Sequence, residues 1–149
     1  PMEALMTAIV LWISANFGLP PPHDLPRVEF ASAAKIVALR YEGQGDAAQV
    51  SASTIDEATA DTLAIYRDDT RTIYLRADWT GKTPEELSIL VHEIVHHMQT
   101  VDGIKFECPQ EREELAYKVQ ERWLGLFGHS LQSDFGLDPF SIFIKSKCF

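Results

Sequence analysis

Apolar residues dominate the start of the chain, and no charged side chain occurs between Glu3 and Asp24. The apolar run ends near Pro20, which makes it shorter than the roughly 20 residues that a membrane span requires. The run begins with an acidic residue rather than with the positive charge of a secretory signal, so neither a span nor a signal is predicted. It instead predicts a packed helix over about residues 3–17, which the consecutive prolines at 20–22 cannot extend.

Alternating polar and apolar residues indicate β-structure in two places. Residues 27–30 alternate and predict a short strand, whereas the β-rich runs 63–67 and 72–76 flank an Asp-containing turn. That arrangement predicts an antiparallel hairpin. Between the predicted strand and the predicted hairpin, the sequence predicts a helix from Ser32 to about Tyr41 that ends at Gly43 and Gly45. A loop is predicted over residues 46–60.

Two long helices are predicted in the second half of the chain. The first has a clear start, because Thr83 can cap it, Pro84 suits its first position and Glu86 completes a capping box. The other predicted features are the end of this helix between Thr100 and Gly103, a second helix from Gln110 to Phe127 that ends at Gly128, and a C-terminal strand or apolar strap over 140–144.

These elements predict an α+β fold, and the length of 149 residues predicts one domain over residues 1–149. Acidic residues outnumber lysine and arginine by 22 to 13, which gives a formal charge of -9. This balance argues against nucleic acid as a partner, because phosphate contacts need clustered lysine and arginine. It disfavours an anionic membrane surface for the same reason.

The candidate chemistry lies in His92-Glu93-Ile94-Val95-His96, an HExxH pattern inside the capped helix. Two histidines four residues apart on a helix lie about 40° apart around its axis and roughly 6 Å apart along it. Both rings can therefore reach one zinc ion at the usual bond length of about 2.0 Å. Glu93 is offset by one residue and is predicted to act as general base on a metal-bound water.

The helical wheel predicts two unlike faces for this helix. Its apolar face would pack on the core. His92 and His96 fall on the opposite side with Ile89 and Gln99, a mixed face that suits the wall of a cleft. The apolar face consists of Leu87, Val91, Ile94, Val95 and Met98.

A catalytic zinc normally has three protein ligands and one open position, so a third ligand is expected. A metzincin-like pattern would place it at Asp102, but Gln99 stands where that pattern needs a glycine turn. Among the nearby glutamates, only Glu113 lies within the apolar arc of the second helix, whereas Glu111 and Glu114 face solvent. A carboxylate on a buried face is costly unless it is paired or bound to a metal, so Glu113 is the predicted ligand.

Glu113 follows the second histidine by 17 residues and begins a Glu113-x-x-Ala116 pattern. Together with HEIVH, this spacing resembles the gluzincin branch of the zincin metallopeptidases, in which the third ligand is a glutamate on a following helix. The run 90–99 is also similar to an uncharacterised family of small bacterial HExxH proteins. The resemblance covers roughly residues 63–127 and departs at Tyr117, where some gluzincins carry an acidic residue.

The resemblance implies a minimal zincin-like domain with an active-site helix, a following ligand-bearing helix and a small antiparallel sheet. It implies a metallopeptidase that holds one Zn²⁺ per chain through His92, His96 and Glu113. Glu93 would be its general base, and a peptide or protein its substrate. In zincins an edge strand pairs with extended substrate, and the 63–76 hairpin is either the segment in that place or a purely structural hairpin.

Two further residues are candidates for stabilising an oxyanion. Tyr117 lies one turn after Glu113 on the ligand side of the second helix, and His129 follows the end of that helix. Both also suit structural roles, Tyr117 as a core aromatic residue and His129 as a surface loop residue. His97 points about 100° away from His96 and is predicted either to support a metal ligand or to be a packing residue.

A non-catalytic zinc-binding or interaction domain is the alternative to an enzyme. Such a site would need a fourth protein ligand, which Asp102, Cys108 or His129 could supply. Hydrolysis of a bond other than a peptide is a third possibility, because HExxH does not fix the scissile bond. A chain of 149 residues has little room for a large second subdomain, so a shallow site, a short substrate contact or a partner that completes the site is expected.

Cys108 and Cys148 allow either one disulfide or two buried thiols. A disulfide would hold down the segment around Cys148 and favour an exported or periplasmic protein. Reduced thiols would favour the cytoplasm.

Overall fold

The computed structural model describes residues 1–42 and 63–149. The predicted helix close at Gly43 and Gly45 and the predicted loop over 46–60 lie outside these ranges. Within them the chain is α+β, as the sequence pattern predicted. The elements are α1 (Met2–Phe17), β1 (Arg27–Ala31), α2 (Ala33–Glu42), β2 (Ala64–Arg67), β3 (Thr72–Arg76), α3 (Pro84–Val101), a 3₁₀ helix (Pro109–Arg112), α4 (Glu113–Gly125), α5 (Leu131–Phe135) and α6 (Pro139–Ser146).

The described sheet has three strands in the order β1-β3-β2, and its pairings are mixed. β2 and β3 form the predicted antiparallel hairpin, with Tyr66 opposite Ile73. β1 pairs parallel with β3, with Val28 opposite Ile73, so the expectation of a wholly antiparallel sheet is wrong at this strand. The connection from β1 to the hairpin includes α2, and a helical crossover of this kind lets two strands run in the same direction.

Of the two hydrogen bonds in the predicted capping box, the start of α3 shows the one accepted by Thr83. The side chain of Thr83 accepts a hydrogen bond from the backbone N–H of Glu86 over 3.1 Å. The Glu86 carboxylate instead accepts hydrogen bonds from the backbone N–H and the hydroxyl of Thr80. Glu86 therefore fastens the loop before α3 to the first turn of the helix, which fixes where the helix begins.

α3 is the central helix and is buried on two opposite sides. Its apolar side packs against α1 and the sheet, as predicted. Its opposite side, with His96 and Gln99, is buried as well because α4 covers it. The first half of the mixed side borders one cavity at Glu85, Ile89 and His92, and the second half borders a smaller cavity at His96 and Gln99. The shared core comprises Met6, Ile9, Val10, Ile13, Tyr66, Ile73, Leu75, Leu90, Val91, Ile94, Val95 and Met98.

The predicted second long helix is divided into a 3₁₀ turn and α4, and α4 begins at Glu113. The C-terminal run over 140–144 belongs to α6, so the expectation of a strand or strap is wrong. Asp138 caps α6 by accepting a hydrogen bond from the backbone N–H of Ser141 over 2.7 Å, and Pro139 occupies its first turn. These two start signals outweigh the β-rich composition of the run.

The two cysteines lie close together in the structure. The sulfur atoms of Cys108 and Cys148 lie at disulfide distance, with their Cα atoms 5.8 Å apart. This pair joins the segment before the 3₁₀ helix to the segment after α6. None of the helices in residues 1–42 and 63–149 has the length and apolar character needed to cross a membrane.

Candidate metal centre

Two histidine rings and one carboxylate converge between α3 and α4. His92 and His96 are four residues apart on α3, so their rings share one side of the helix, with centroids 5.0 Å apart. The Nε2 atom of His92 lies 2.8 Å from one oxygen of Glu113, and Nε2 of His96 lies 2.9 Å from the other. The single carboxylate therefore faces both ring nitrogens at once.

Glu113 reaches this position because it is the first residue of α4 and faces α3. Its side chain is 23% exposed, whereas that of the adjacent Glu114 is 62% exposed and lies 3.5 Å from the ammonium of Lys147. The structure thus brings together the three residues that the sequence predicted as ligands. The helical wheel correctly separated two adjacent glutamates.

The charges of the three groups are strongly coupled. Burial disfavours the charged form of His92, but the Glu113 carboxylate, followed by Glu93, more than reverses this effect and raises the pKa of His92 to about 9. Burial also disfavours a charged Glu113, yet the rings of His96 and His92 hold the pKa of that carboxyl well below its usual range. The Glu113 carboxylate is therefore an anion that positive charge stabilises.

The donor set fits a zinc ion. Two imidazole nitrogens and a carboxylate oxygen are ligands that zinc prefers, and bonds of about 2.0–2.1 Å in a tetrahedron place donor atoms about 3.3 Å apart. The observed separations of 2.8 and 2.9 Å need to widen by only about half an ångström. A small movement of the Glu113 side chain would provide that room.

Glu93 lies close to both histidines, near enough to hold a metal ion together with them. One carboxylate oxygen lies within 4.8 Å of a ring nitrogen of both His92 and His96. Glu93 is 6% exposed, and its buried Oε2 has no hydrogen-bond partner among the described residues. A buried carboxylate oxygen without a partner is costly, so this atom is suited to accept a proton or a hydrogen bond from a bound molecule.

Each histidine is held from behind by a glutamine. Nδ1 of His92 lies 2.8 Å from Oε1 of Gln120, and Nδ1 of His96 lies 3.0 Å from Oε1 of Gln99. Gln99 falls on the histidine side of the α3 helical wheel, but no motif in the sequence indicates a role for either glutamine. The signal available was spacing, since Gln120 follows Glu113 by seven residues and therefore returns to the same side of α4.

Tyr117 lies at the site, as its position one turn after Glu113 predicted. Its ring packs edge-on against His92, with centroids 4.8 Å apart, and it lines the adjoining cavity. Burial, followed by the carboxylates of Glu113 and Glu93, raises the pKa of the Tyr117 hydroxyl above its usual range. The hydroxyl is therefore a protonated donor at neutral pH.

The structure does not bring His129 to the same point. Its Nδ1 lies 2.7 Å from a carboxylate oxygen of Asp134, and His129 is not among the residues that line the cavity. His97 is fully buried and points away from the site, where Nδ1 contacts the Tyr66 hydroxyl at 2.9 Å and Nε2 contacts the carbonyl oxygen of Asp24 at 2.8 Å. It is a packing residue, which is one of the two roles predicted for it.

The candidate fourth ligands also lie elsewhere. Asp102 is exposed at the C-terminal cap of α3, and Cys108 is paired with Cys148. His129 contacts Asp134. Among the described residues, none of the three side chains that could have closed the metal site reaches it.

A cavity of about 600 Å³ adjoins the three groups and bears both signs of charge. Edge strand β2 borders it at Ala64, and α6 contributes Lys145 to its lining. The cavity is lined by Arg40, Leu63, Ala64, Glu85, Ile89, His92, Glu93, Tyr117, Gln120, Asp134, Phe135, Gly136, Leu137 and Lys145.

The chain belongs to a protein family that is described as a domain of unknown function, DUF6647, and the match covers residues 1–149. No curated protein matches it. No solved structure matches it either. The family match therefore gives no activity, and a function has to be inferred from the geometry of the site.

Proposed function

We propose that this protein is a zinc-dependent hydrolase, and specifically a small metallopeptidase of gluzincin type. One observation supports this most directly: both oxygens of Glu113 face the Nε2 atoms of His92 and His96, and the unpartnered carboxylate of Glu93 lies beside them. Three ligands and an adjoining cavity are typical of a catalytic zinc site, which keeps one coordination position open.

Zinc bound at this centre would polarise a substrate carbonyl and lower the pKa of a coordinated water. Glu93 would accept the proton of that water through its carboxylate and then deliver it to the leaving amine. The hydroxyl of Tyr117 would donate a hydrogen bond to the developing oxyanion, a role that its raised pKa favours. These steps assign proton transfer and charge stabilisation to two different residues.

Edge strand β2 is the proposed contact for extended substrate. Strand order leaves one side of β2 without a partner strand among the described residues, and Ala64 of this strand borders the cavity. An extended peptide that added to this edge would enter the cavity beside α3. The substrate class proposed is therefore a peptide or an unfolded protein segment.

We further propose an exported or periplasmic location. The supporting observation is the pair Cys108 and Cys148 at disulfide distance, since disulfides persist mainly in oxidising compartments. Thiol titration of protein isolated from its native compartment, with and without reductant, tests this location. Two titrating thiols without reductant would contradict it.

Metal analysis combined with a peptide-library cleavage assay tests the proposed function. We expect one zinc per chain in the wild-type protein, with cleavage products that are absent for Glu93→Gln although that variant keeps its zinc. Glu114→Gln is the matched control, because it removes the same charge from the exposed side of α4 and should retain both metal and activity.

X-ray absorption of the zinc-loaded protein separates the enzyme from its alternative. Three protein ligands with one water are expected. Four protein ligands and no hydrolysis of any library would instead establish a structural zinc domain. Hydrolysis of other acyl compounds with no cleaved peptide would retain the zinc hydrolase and replace its substrate class.

A further inference from the structure

We infer that Gln99 and Gln120 are positioning residues that fix both ligand histidines in the tautomer with the proton on Nδ1, leaving Nε2 for the metal. This inference rests on the proposed zinc site. It concerns two buried residues, 2% and 5% exposed, for which sequence analysis offered no function.

The direction of the hydrogen bond at Gln99 follows from its second partner. Nε2 of Gln99 donates to the backbone carbonyl of Arg112 over 3.1 Å, and a carbonyl can only accept. The amide orientation is therefore determined, and Oε1 of Gln99 must be the atom that faces His96 Nδ1 at 3.0 Å. Because that oxygen only accepts, Nδ1 of His96 carries the proton.

A longer relay determines the direction at Gln120. The Ser88 hydroxyl donates to the backbone carbonyl of Glu85 over 2.7 Å, so it accepts from Nε2 of Gln120 at 3.1 Å. Oε1 of Gln120 then accepts from Nδ1 of His92 at 2.8 Å. Both relays thus begin at a histidine and end at a main-chain carbonyl oxygen.

The two relays place the partner atoms on different helices. Ser88, His92, His96 and Gln99 follow one another down one side of α3, whereas Gln120 comes from α4 together with Glu113. A histidine whose ring orientation and Nδ1 hydrogen bond are already fixed loses less freedom when its Nε2 binds a metal. Outer partners of this kind are typically worth about 10–100-fold in metal affinity.

Gln99 donates to a carbonyl oxygen and Gln120 to a hydroxyl, so replacing each glutamine by glutamate should have a different effect on zinc binding. At position 120, a carboxylate can accept from His92 and also from Ser88, whose hydroxyl can rotate toward it. At position 99, one oxygen of a carboxylate would face the Arg112 carbonyl, and two acceptors cannot bond. Gln120→Glu should therefore keep or tighten zinc binding, while Gln99→Glu should weaken it at least about tenfold.

Zinc dissociation constants, measured by competition with a chromophoric chelator, are the primary test. Gln99→Met and Gln120→Met keep the side-chain length and lose the acceptor, and each should weaken zinc binding about 10–100-fold. Gln132→Met on the exposed side of α5 is the control and should bind as the wild type does. Far-UV circular dichroism of each variant verifies that it is folded.

A magnetic resonance measurement follows the protons themselves. In zinc-loaded protein labelled with ¹⁵N-histidine, the protons on Nδ1 of His92 and His96 should exchange slowly with solvent. Gln120→Met should accelerate exchange at His92 alone, and Gln99→Met at His96 alone. A merely structural role of the glutamines would not produce this separation.

The outcomes distinguish failure of this inference from failure of the proposed function. If the wild type binds zinc and His96→Ala abolishes binding, but both methionine variants bind within about twofold of the wild type, the inference is wrong and the metal site stands. Equal losses for Gln99→Glu and Gln120→Glu would also overturn it. If the wild type binds no zinc, the proposed function itself fails.

Discussion

The hydroxyl of Tyr66 donates a hydrogen bond to Nδ1 of His97 over 2.9 Å, and this buried contact connects edge strand β2 to α3. The direction is fixed because Nε2 of His97 donates to the carbonyl oxygen of Asp24. The same histidine thus joins the central helix to two other segments. It follows the proposed ligand His96 directly in sequence and points about 100° away from it around the helix axis.

Tyr66→Phe is expected to lower the free energy of unfolding by about 1–3 kcal/mol at pH 8, because Nδ1 of His97 loses its donor inside the core. Urea unfolding followed by circular dichroism measures this change. Tyr74→Phe, on the neighbouring strand, is the control and should change stability by less than about 0.5 kcal/mol.

The stability difference between wild type and Tyr66→Phe should also depend on pH. Burial raises the pKa of Tyr66 to about 12, above the unfolded value of 10.0. The stabilisation from neutral Tyr66 is therefore complete below pH 10 and is lost as pH rises toward 12, since only the unfolded chain ionises in that interval. Between pH 9 and pH 10.5 the difference should shrink by about 0.8 kcal/mol. A constant difference would contradict this account.

Glu113→Gln is expected to weaken zinc binding at least about 100-fold, because it removes the only proposed anionic ligand. Zinc at about 100 times its dissociation constant should stabilise the wild type by about 2.7 kcal/mol, visible as a higher melting temperature that a chelator reverses. The variant should show almost no such shift at the same zinc concentration. An equal shift in both proteins would exclude Glu113 as a ligand.

Tyr117→Phe is expected to lower kcat about 100-fold with little change in KM or zinc content, because the lost hydroxyl serves the transition state alone. Steady-state kinetics on a peptide identified by library cleavage provides the measurement. A rise in KM at constant kcat would instead indicate that Tyr117 binds the ground state.

Cys148→Ser is expected to destabilise the protein by up to about 4 kcal/mol, since the cysteines lie 40 residues apart and a bridge would restrict that loop in the unfolded chain. Thermal unfolding with and without reductant measures the effect. Cys108→Ser should give the same loss, and reductant should lower the stability of the wild type only. A wild type insensitive to reductant would show that no bridge forms.

The three proposed ligands could be singled out from the sequence because each constraint on them is local. His92 and His96 are related by one helical turn, and the wheel of a single helix distinguishes Glu113 from Glu114. The fact that these two helices pack together is what the structure adds. The sequence of either helix alone does not predict the contact between Gln120 and His92, because that contact depends on how α3 and α4 are aligned.

The errors at β1 and α6 have related causes. Strand direction at β1 depends on pairing with β3 far along the chain, which alternation of polar and apolar residues does not encode. In α6 the composition of the run favoured a strand, but Asp138 and Pro139 supply a helix start just before it. His129 failed as a site residue because Asp134, five residues away, engages its ring.

The contact between Cys108 and Cys148 also determines how the protein would respond to proteolytic cleavage. As a covalent bond it would close residues 108–148 into a ring that contains Glu113, Tyr117 and Gln120, while His92 and His96 lie outside it. A single cleavage anywhere within that ring would leave both products joined until a reductant was added. The nicked protein could then retain the pairing of α3 with α4, and with it the complete set of proposed ligands.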